Sequence, residues 1–222
     1  MHHYYGAMRK RISLEQLKTE GILDIRAGYP FRGRIFEKTH GAARVVQIRN
    51  ADPDRGVDWG SLIRTDLTGR GEPDWLQSGD ILFVARGGRN FAVSLKDVPE
   101  KTVCLPHFFR IRINPEPPKV PEHELLPAFL AWQMNQRPAQ RHFKQSAEGT
   151  LQRSVRRGEL EVLNVVIPKI DKQRAIVKLI EQVNAEKQLL NDLISNTEKM
   201  AEAIANDVLD SEYEGKNEGA SR

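Results

Sequence analysis

From Asp171 to about Asp210 the chain contains neither Gly nor Pro, and its apolar positions recur at alternating steps of four and three. They are Ile176, Ile180, Val183, Leu190, Ile194, Ala201, Ile204 and Val208, with Lys187 and Thr197 in the two remaining places of the series. That spacing holds one stripe on one side of a helix and is the a/d seam of a coiled coil over roughly four heptads. At about 1.5 Å per residue, ~39 residues make a rod on the order of 58 Å long, more than one small domain can bury. Polar residues at seam positions lower stability while fixing register and partner number. Val177, Leu179, Leu189, Leu193 and Met200 widen the apolar face, which suits packing against more than one surface. A helix folded back on its own domain is the competing reading. Pro168 ends the segment before the rod and Asp171 is a competent N-cap. The polar stretch 211–222 reads as a disordered tail.

Upstream the period changes from helical to two-residue and back. Ser13 precedes Leu14, Leu17 and Ile22 as the N-cap of a short helix. Asp24 to Arg34 holds Gly28, Pro30 and Gly33 and reads as a turn-rich loop. Ala43 to Asn50 reads as a strand, followed by a turn at 52–56. A tight turn at Ser78-Gly79-Asp80 leads into the buried strand Ile81 to Arg86, and Phe91 to Leu95, Val103 to Leu105 and Phe108 to Ile113 are further strands. After a proline-rich break, Glu124 to Met134 is a helix and Ala139 to Phe143 continues as helical turns. The segment 148–158 is a glycine-bounded basic loop, Leu160 to Val162 a helical turn, and Leu163 to Ile167 a last strand. No internal repeat is visible.

Charge divides the chain in two. Up to Lys169 there are 27 Lys+Arg against 19 Asp+Glu, and from Asp171 onward 7 against 11, which gives +8 and −4 and recovers the overall +4. A basic, arginine-rich globule with an acidic rod favours a nucleic-acid ligand over a membrane, since guanidinium forks suit phosphates and guanine edges. Cys104 is the sole cysteine, which excludes a disulfide framework or a cysteine-rich metal site. No apolar run approaches a membrane span or a signal core, so a cytoplasmic location is expected. The six histidines have no metal-site spacing, and no methyltransferase, phosphate-loop or paired-acid nuclease signature stands out.

Base reading needs forked donors on loops or helix ends. Four clusters qualify: Arg32 and Arg34; Arg49 and Asn50; Arg86, Arg89 and Asn90; and Gln152, Arg153, Arg156 and Arg157. The plainer reading leaves about half of such arginines solvated or paired with acids, an order-of-magnitude expectation for surface charges. Trp75 and Trp132 fit core positions, whereas Tyr29 and Phe31 suit stacking on a base as well as packing. Gly87-Gly88 reads as a hairpin turn sooner than a phosphate cradle, because no helix follows it.

Several pieces in this order resemble the specificity subunit of type I restriction–modification systems. They are Ala27-Gly28-Tyr29-Pro30-Phe31, Val45 to Asn50, Leu76 to Phe83, Leu126 to Leu130, Gly149-Thr150-Leu151-Gln152, and Val166-Ile167-Pro168 followed by Gln173-Arg174-Ala175-Ile176-Val177. Together they span roughly residues 12–205, and it is the ordered set that is specific. The resemblance implies an α+β chain: a mixed α/β target recognition domain over 1–169, then one long C-terminal coiled-coil helix over 171–210 that spaces the domain and docks methyltransferase subunits. It points to the loop Gly149 to Arg157, which matches a motif region, as a DNA contact. It implies double-stranded DNA, a methyltransferase and a restriction subunit as partners. No cofactor is expected in this chain, S-adenosylmethionine being held by the methyltransferase. Family members usually carry two such domains and two such helices, whereas this sequence shows one of each, so its seam is expected to pair with a second copy. The chain is therefore expected to be a non-catalytic reader. The rival from another class is an oligomerising interaction or regulatory protein whose globule binds protein.

Overall fold

The computed structural model describes residues 11–68, 72–117, 124–146 and 154–218. They fall into two compact units, Met1–Lys178 and Leu179–Arg222. The first is mixed α/β. It opens with β1 (Arg11–Ser13), α1 (Leu14–Thr19), β2 (Leu23–Ala27) and β3 (Ala43–Val46). A small hairpin, β4 (Ala51–Asp52) and β5 (Gly56–Val57), precedes β6 (Ile63–Thr65). Next come β7 (Ile81–Val84), β8 (Ala92–Ser94), β9 (Thr102–Cys104) and β10 (Phe108–Ile113). Then follow α2 (Pro127–Asn135), α3 (Arg137–Ser146), α4 (Arg157–Glu161) and β11 (Asn164–Val166). The long α5 (Ile170–Glu218) begins in this unit and forms the described part of the second.

The central sheet has the order β2-β10-β7-β8 and is antiparallel throughout. Its middle strand shows why the run Ile-Leu-Phe-Val is apolar at every position. Ile81 and Phe83 point into one core cluster with Leu14, Leu17, Ile111, Phe129, Leu130 and Phe143. Leu82 and Val84 point into a second with Val46, Val93, Cys104 and Phe108. Both faces of the sheet are covered, by helices on one side and by β3 and β9 on the other, so alternation gives way to a continuous hydrophobic run. The second sheet, β6-β3-β9, joins β3 antiparallel to β6 and parallel to β9. β1 pairs with β11 and so brings the start of the chain to the segment just before α5.

Several boundaries differ from those read in the sequence, each for a local reason. Leu23–Ala27 is a strand and not part of the loop, because Leu23 and Ile25 are buried in the β10 pairing while Arg26 stays exposed. β3 stops at Val46, and a 3-10 turn over Ile48–Asn50 replaces the expected strand end. α2 starts at Pro127, a favoured first-turn position, and not at Glu124. α3 starts at Arg137 and α4 at Arg157, two to three residues before the expected turns. α5 starts at Ile170, so Asp171 lies in its first turn and favours the positive end of the helix dipole without capping it. The helix also runs on to Glu218, past the expected end at Asp210: the chain has no Pro there, and the single Gly215 costs only about 1 kcal/mol relative to Ala. Ser13 does cap α1, its hydroxyl accepting from the Gln16 N–H at 3.1 Å.

Candidate nucleic-acid interface

The β7–β8 connection carries Arg86 and Arg89, and backbone bonds tie it to two other loops. The N–H groups of Ala85 and Arg86 donate to the His107 carbonyl at 2.8 and 3.2 Å, and the Val155 N–H donates to Ala85 O at 2.9 Å. Arg86 and Ser154 form an antiparallel bridge. The start of α4, with Arg156 and Arg157, is thereby held against the Arg86 loop. Gly87 lies so close to Ile48 that a Cβ there would sit 3.5 Å from Ile48 Cδ1, which adds the turn bearing Arg49. Described residues of three of the four basic clusters thus come together, on segments separated widely in sequence. Arg49, Arg86, Arg89 and Arg156 are exposed and have no carboxylate within salt-bridge reach among the described residues. Arg157 is different: its Nε binds Glu161 at 2.8 Å, and Glu161 also takes Lys18 at 2.7 Å. Desolvation works against the Glu161 charge, but the two cations hold its carboxyl below the ordinary glutamate value.

Two predicted readers serve the fold instead. Asn90 is buried, and its amide donates to Val84 O at 2.9 Å and Ala85 O at 3.2 Å, closing the Arg86–Arg89 loop from inside. Asn50 is also buried; it accepts from the Gln47 N–H at 2.8 Å and donates to Ser61 O and Oγ at 3.2 and 3.0 Å. Short amides in loops are as suited to bonding nearby backbone as to bonding bases, and composition does not separate the two uses. Gln152 and Arg153 lie outside the described residues.

The fourth cluster, Arg32 and Arg34, is exposed on the loop after β2. Gly28 at the root of that loop packs so tightly on the Leu105 carbonyl that a Cβ would overlap it. Tyr29 and Phe31, half-buried, meet edge to face at 4.8 Å, which gives each ring a protein partner. Beyond them stands Phe36, 65% exposed, with the Arg34 guanidinium 5.7 Å from its ring centre. The sequence offered one hint of this residue, a lone aromatic between Arg34 and Lys38 in no hydrophobic period.

Not all of the arginine is available for a ligand. Arg110 on β10 is buried, bonding Asp74 through Nε at 2.8 Å and Asp24 through Nη2 at 2.9 Å. Arg112 makes a fork with Asp80 at 2.6 and 2.7 Å. The Ser78-Gly79-Asp80 turn therefore positions a buried carboxylate for β10, and Gly79 takes the left-handed conformation (φ +92°) the turn requires. Partial burial raises the Asp24 carboxyl, but its bonds and charge contacts with Arg110 and Arg26 prevail and leave it below its usual value. Cys104 is inert by position, burial pushing its thiol up to about 12. No group of His, Cys, Asp and Glu among the described residues is arranged to hold a metal ion.

Sequence reasoning also passed over the role of Gln173. Fully buried in the first turns of α5, it donates through Nε2 to Glu124 O at 2.6 Å and Pro168 O at 2.7 Å and accepts from the Leu126 N–H at 2.9 Å. It locks the start of α5 to the start of α2. Ile176 and Val177 add apolar contact with the larger core cluster. Further along, the seam residues Val183, Leu190, Ile194, Ile204 and Val208 are 41–59% exposed in the single chain. Ala201 is exposed, Ile180 is half-exposed, and Thr197 bonds back to Leu193 O at 2.9 Å.

No family model and no curated protein sequence matches this chain. Solved structures do. A chain of a type I R-M system, solved for its complex assembly and conformational transition, superposes with a TM-score of 0.54 at 13% identity, covering 88% of this chain and 44% of that one. The HsdS subunit from Thermoanaerobacter tengcongensis superposes with a TM-score of 0.52 at 14% identity, covering 85% and 41%. The fold is that of the matched part of an HsdS subunit. The chain spans less than half the length of either of these chains. At this identity the likeness is one of backbone fold and does not extend to individual side chains. No helix among the described residues is long and apolar enough to cross a membrane.

Proposed function

We propose that this chain is a non-catalytic DNA-recognition subunit that directs a partner adenine methyltransferase to a bipartite site. The observation that carries the reading is the gathering of unpaired, exposed arginines from three separate segments on a specificity-subunit fold. Guanidinium groups presented without acid partners are suited to phosphates and base edges, and the partner enzyme would supply S-adenosylmethionine and the chemistry.

The rod supports pairing with a second copy, and its sequence favours an antiparallel arrangement. The seam is a mirror about Asp192: Ile176 answers Val208, Ile180 answers Ile204, Val183 answers Ala201, Lys187 answers Thr197, and Leu190 answers Ile194. In that register each a position meets a d position, and the two polar seam residues oppose one another. A parallel pair would set Lys187 against Lys187. Charge agrees: residues 170–187 hold four Lys/Arg against three Asp/Glu, whereas 188–218 hold two against eight. Antiparallel pairing avoids stacking the acidic halves, and it spaces the two Ile176 positions about 48 Å apart. Two copies then present identical readers to inverted half-sites.

The test is binding of the full chain, with its methyltransferase, to duplex DNA. Charge reversal by Arg86→Glu and Arg156→Glu abolishes site-specific affinity on this reading, and wild-type affinity falls steeply with salt. Unchanged duplex binding in both variants would remove these arginines from the interface.

A further inference from the structure

A recess of about 190 Å3 lies between the loop after β2 and the edge strand β6, walled in part by Arg32, Arg34, Phe36, Lys38, Thr65 and Asp66. Its rim is anchored. Thr65 Oγ1 donates to Phe36 O at 2.8 Å, the Arg32 N–H donates to Thr68 Oγ1 at 3.3 Å, and the Lys38 N–H donates to Arg64 O at 2.8 Å. At the far end Gly41 packs against the Thr65 backbone with no room for a Cβ. A loop tied at these points holds its outward side chains in place.

The charges around the recess do not cancel. Asp66 is taken up by Lys38 Nζ at 2.8 Å and by the Ala42 N–H at 3.1 Å. Arg32 and Arg34 have no carboxylate within salt-bridge reach among the described residues, and Glu37, the one acid of the loop after β2, is exposed. Beside them Phe36 stands 65% exposed; among the described residues of the first unit, Val162 is the other large hydrophobic so placed. A single exposed apolar residue is unremarkable by itself. Here it comes with an anchored backbone, two uncompensated guanidiniums and a concave wall. Guanidinium donors around a small recess suit a tetrahedral oxyanion, and an apolar ring next to it suits the face of a base or sugar. A phosphate and an adjoining apolar surface, a few ångströms apart, are the two halves of one nucleotide.

We propose that this recess takes a backbone phosphate of duplex DNA between Arg32 and Arg34, and that Phe36 is an apolar wedge set against the adjoining base step. The proposal rests on the DNA-reading function and adds to it a contact that deforms the duplex and needs no particular base. A protein partner with an acidic side chain is the rival occupant.

The experiment measures affinity of the full chain for a short fluorescent duplex recovered by selection from a random pool, with wild type, Phe36→Ala, Phe36→Trp and Arg34→Ala compared. Phe36→Ala weakens binding on the order of tenfold, the usual effect of deleting an aromatic–base contact, and Phe36→Trp restores it. Arg34→Ala lowers the slope of log affinity against log salt by about one. The ring is exposed, so thermal melting of the Phe36 variants matches wild type. If wild type binds the duplex and Phe36→Ala binds it equally well, the wedge is wrong while the DNA reading stands. If wild type has no duplex affinity, both fall. If Phe36→Ala keeps duplex affinity but loses co-purification with the methyltransferase, the ring belongs to a protein interface and the proposal is overturned.

Discussion

Replacing Gln173 with alanine removes three hydrogen bonds from the joint between α2 and α5. The side chain is fully buried, and its loss leaves the Leu126 N–H and the carbonyls of Glu124 and Pro168 without their present partners. A bond of this kind contributes about 1 kcal/mol net, so the substitution costs about 3 kcal/mol, and more wherever the orphaned groups stay dry. For a chain of this size each kcal/mol lowers the melting temperature by roughly 2–4 °C, which puts the expected drop at roughly 6–12 °C. Tryptophan fluorescence is a suitable reporter because Trp132 packs on Phe129, in the helix whose start the bond holds. Gln173→Glu sharpens the test. A carboxylate would face two carbonyl oxygens, so its acid form is favoured in the folded state and its pKa is raised above the unfolded value. Its destabilisation is then greater at neutral pH than near pH ~4. Melting of Gln173→Ala within about 2 °C of wild type would show that water replaces the amide without loss and that the joint is not held this way.

Two further outcomes test other parts of the account. Thr197→Glu sets an introduced carboxylate opposite Lys187 of the partner in the antiparallel register but opposite its own twin in a parallel one, so sedimentation velocity should show the dimer retained; dissociation would favour parallel rods. Asp24 titrates below its usual value in the folded state, so the stability it adds is present above its unfolded value of ~3.9 and is lost as pH falls through the lower folded one. Asp24→Asn should therefore lower the melting temperature at pH ~7 and flatten the acid limb of the stability curve, whereas a parallel downward shift at all pH values would place the effect elsewhere.

Elements long enough to show a period were readable from sequence. α5 declares itself through forty-odd residues without Gly or Pro, β7 through a continuous apolar run and β10 through alternation at period two. The strands β1 and β6 are three residues each, too short for any period, and exist because a partner strand is there. The arginine clusters were visible as types, but their convergence depends on the Arg86–Ser154 bridge and the approach of Gly87 to Ile48, which are tertiary facts. The split between reading and structural residues was equally hidden. Asn50 and Asn90 look like readers until their amides are found bonded to backbone. Gln173 belonged to a recognisable motif, yet nothing in its spacing told that it is a buried clamp. Phe36 escaped because an exposed ring leaves no hydrophobic pattern behind.

Paired readers on two rods leave their mark on the DNA that the full chain, with its methyltransferase, selects from a random pool of duplexes. Two antiparallel rods carrying identical readers predict enrichment of one short half-site repeated in inverted orientation across a spacer of constant length, on the order of one to two helical turns between half-site centres. Enrichment of a single unrepeated motif, of half-sites at variable spacing, or of no motif at all would contradict it.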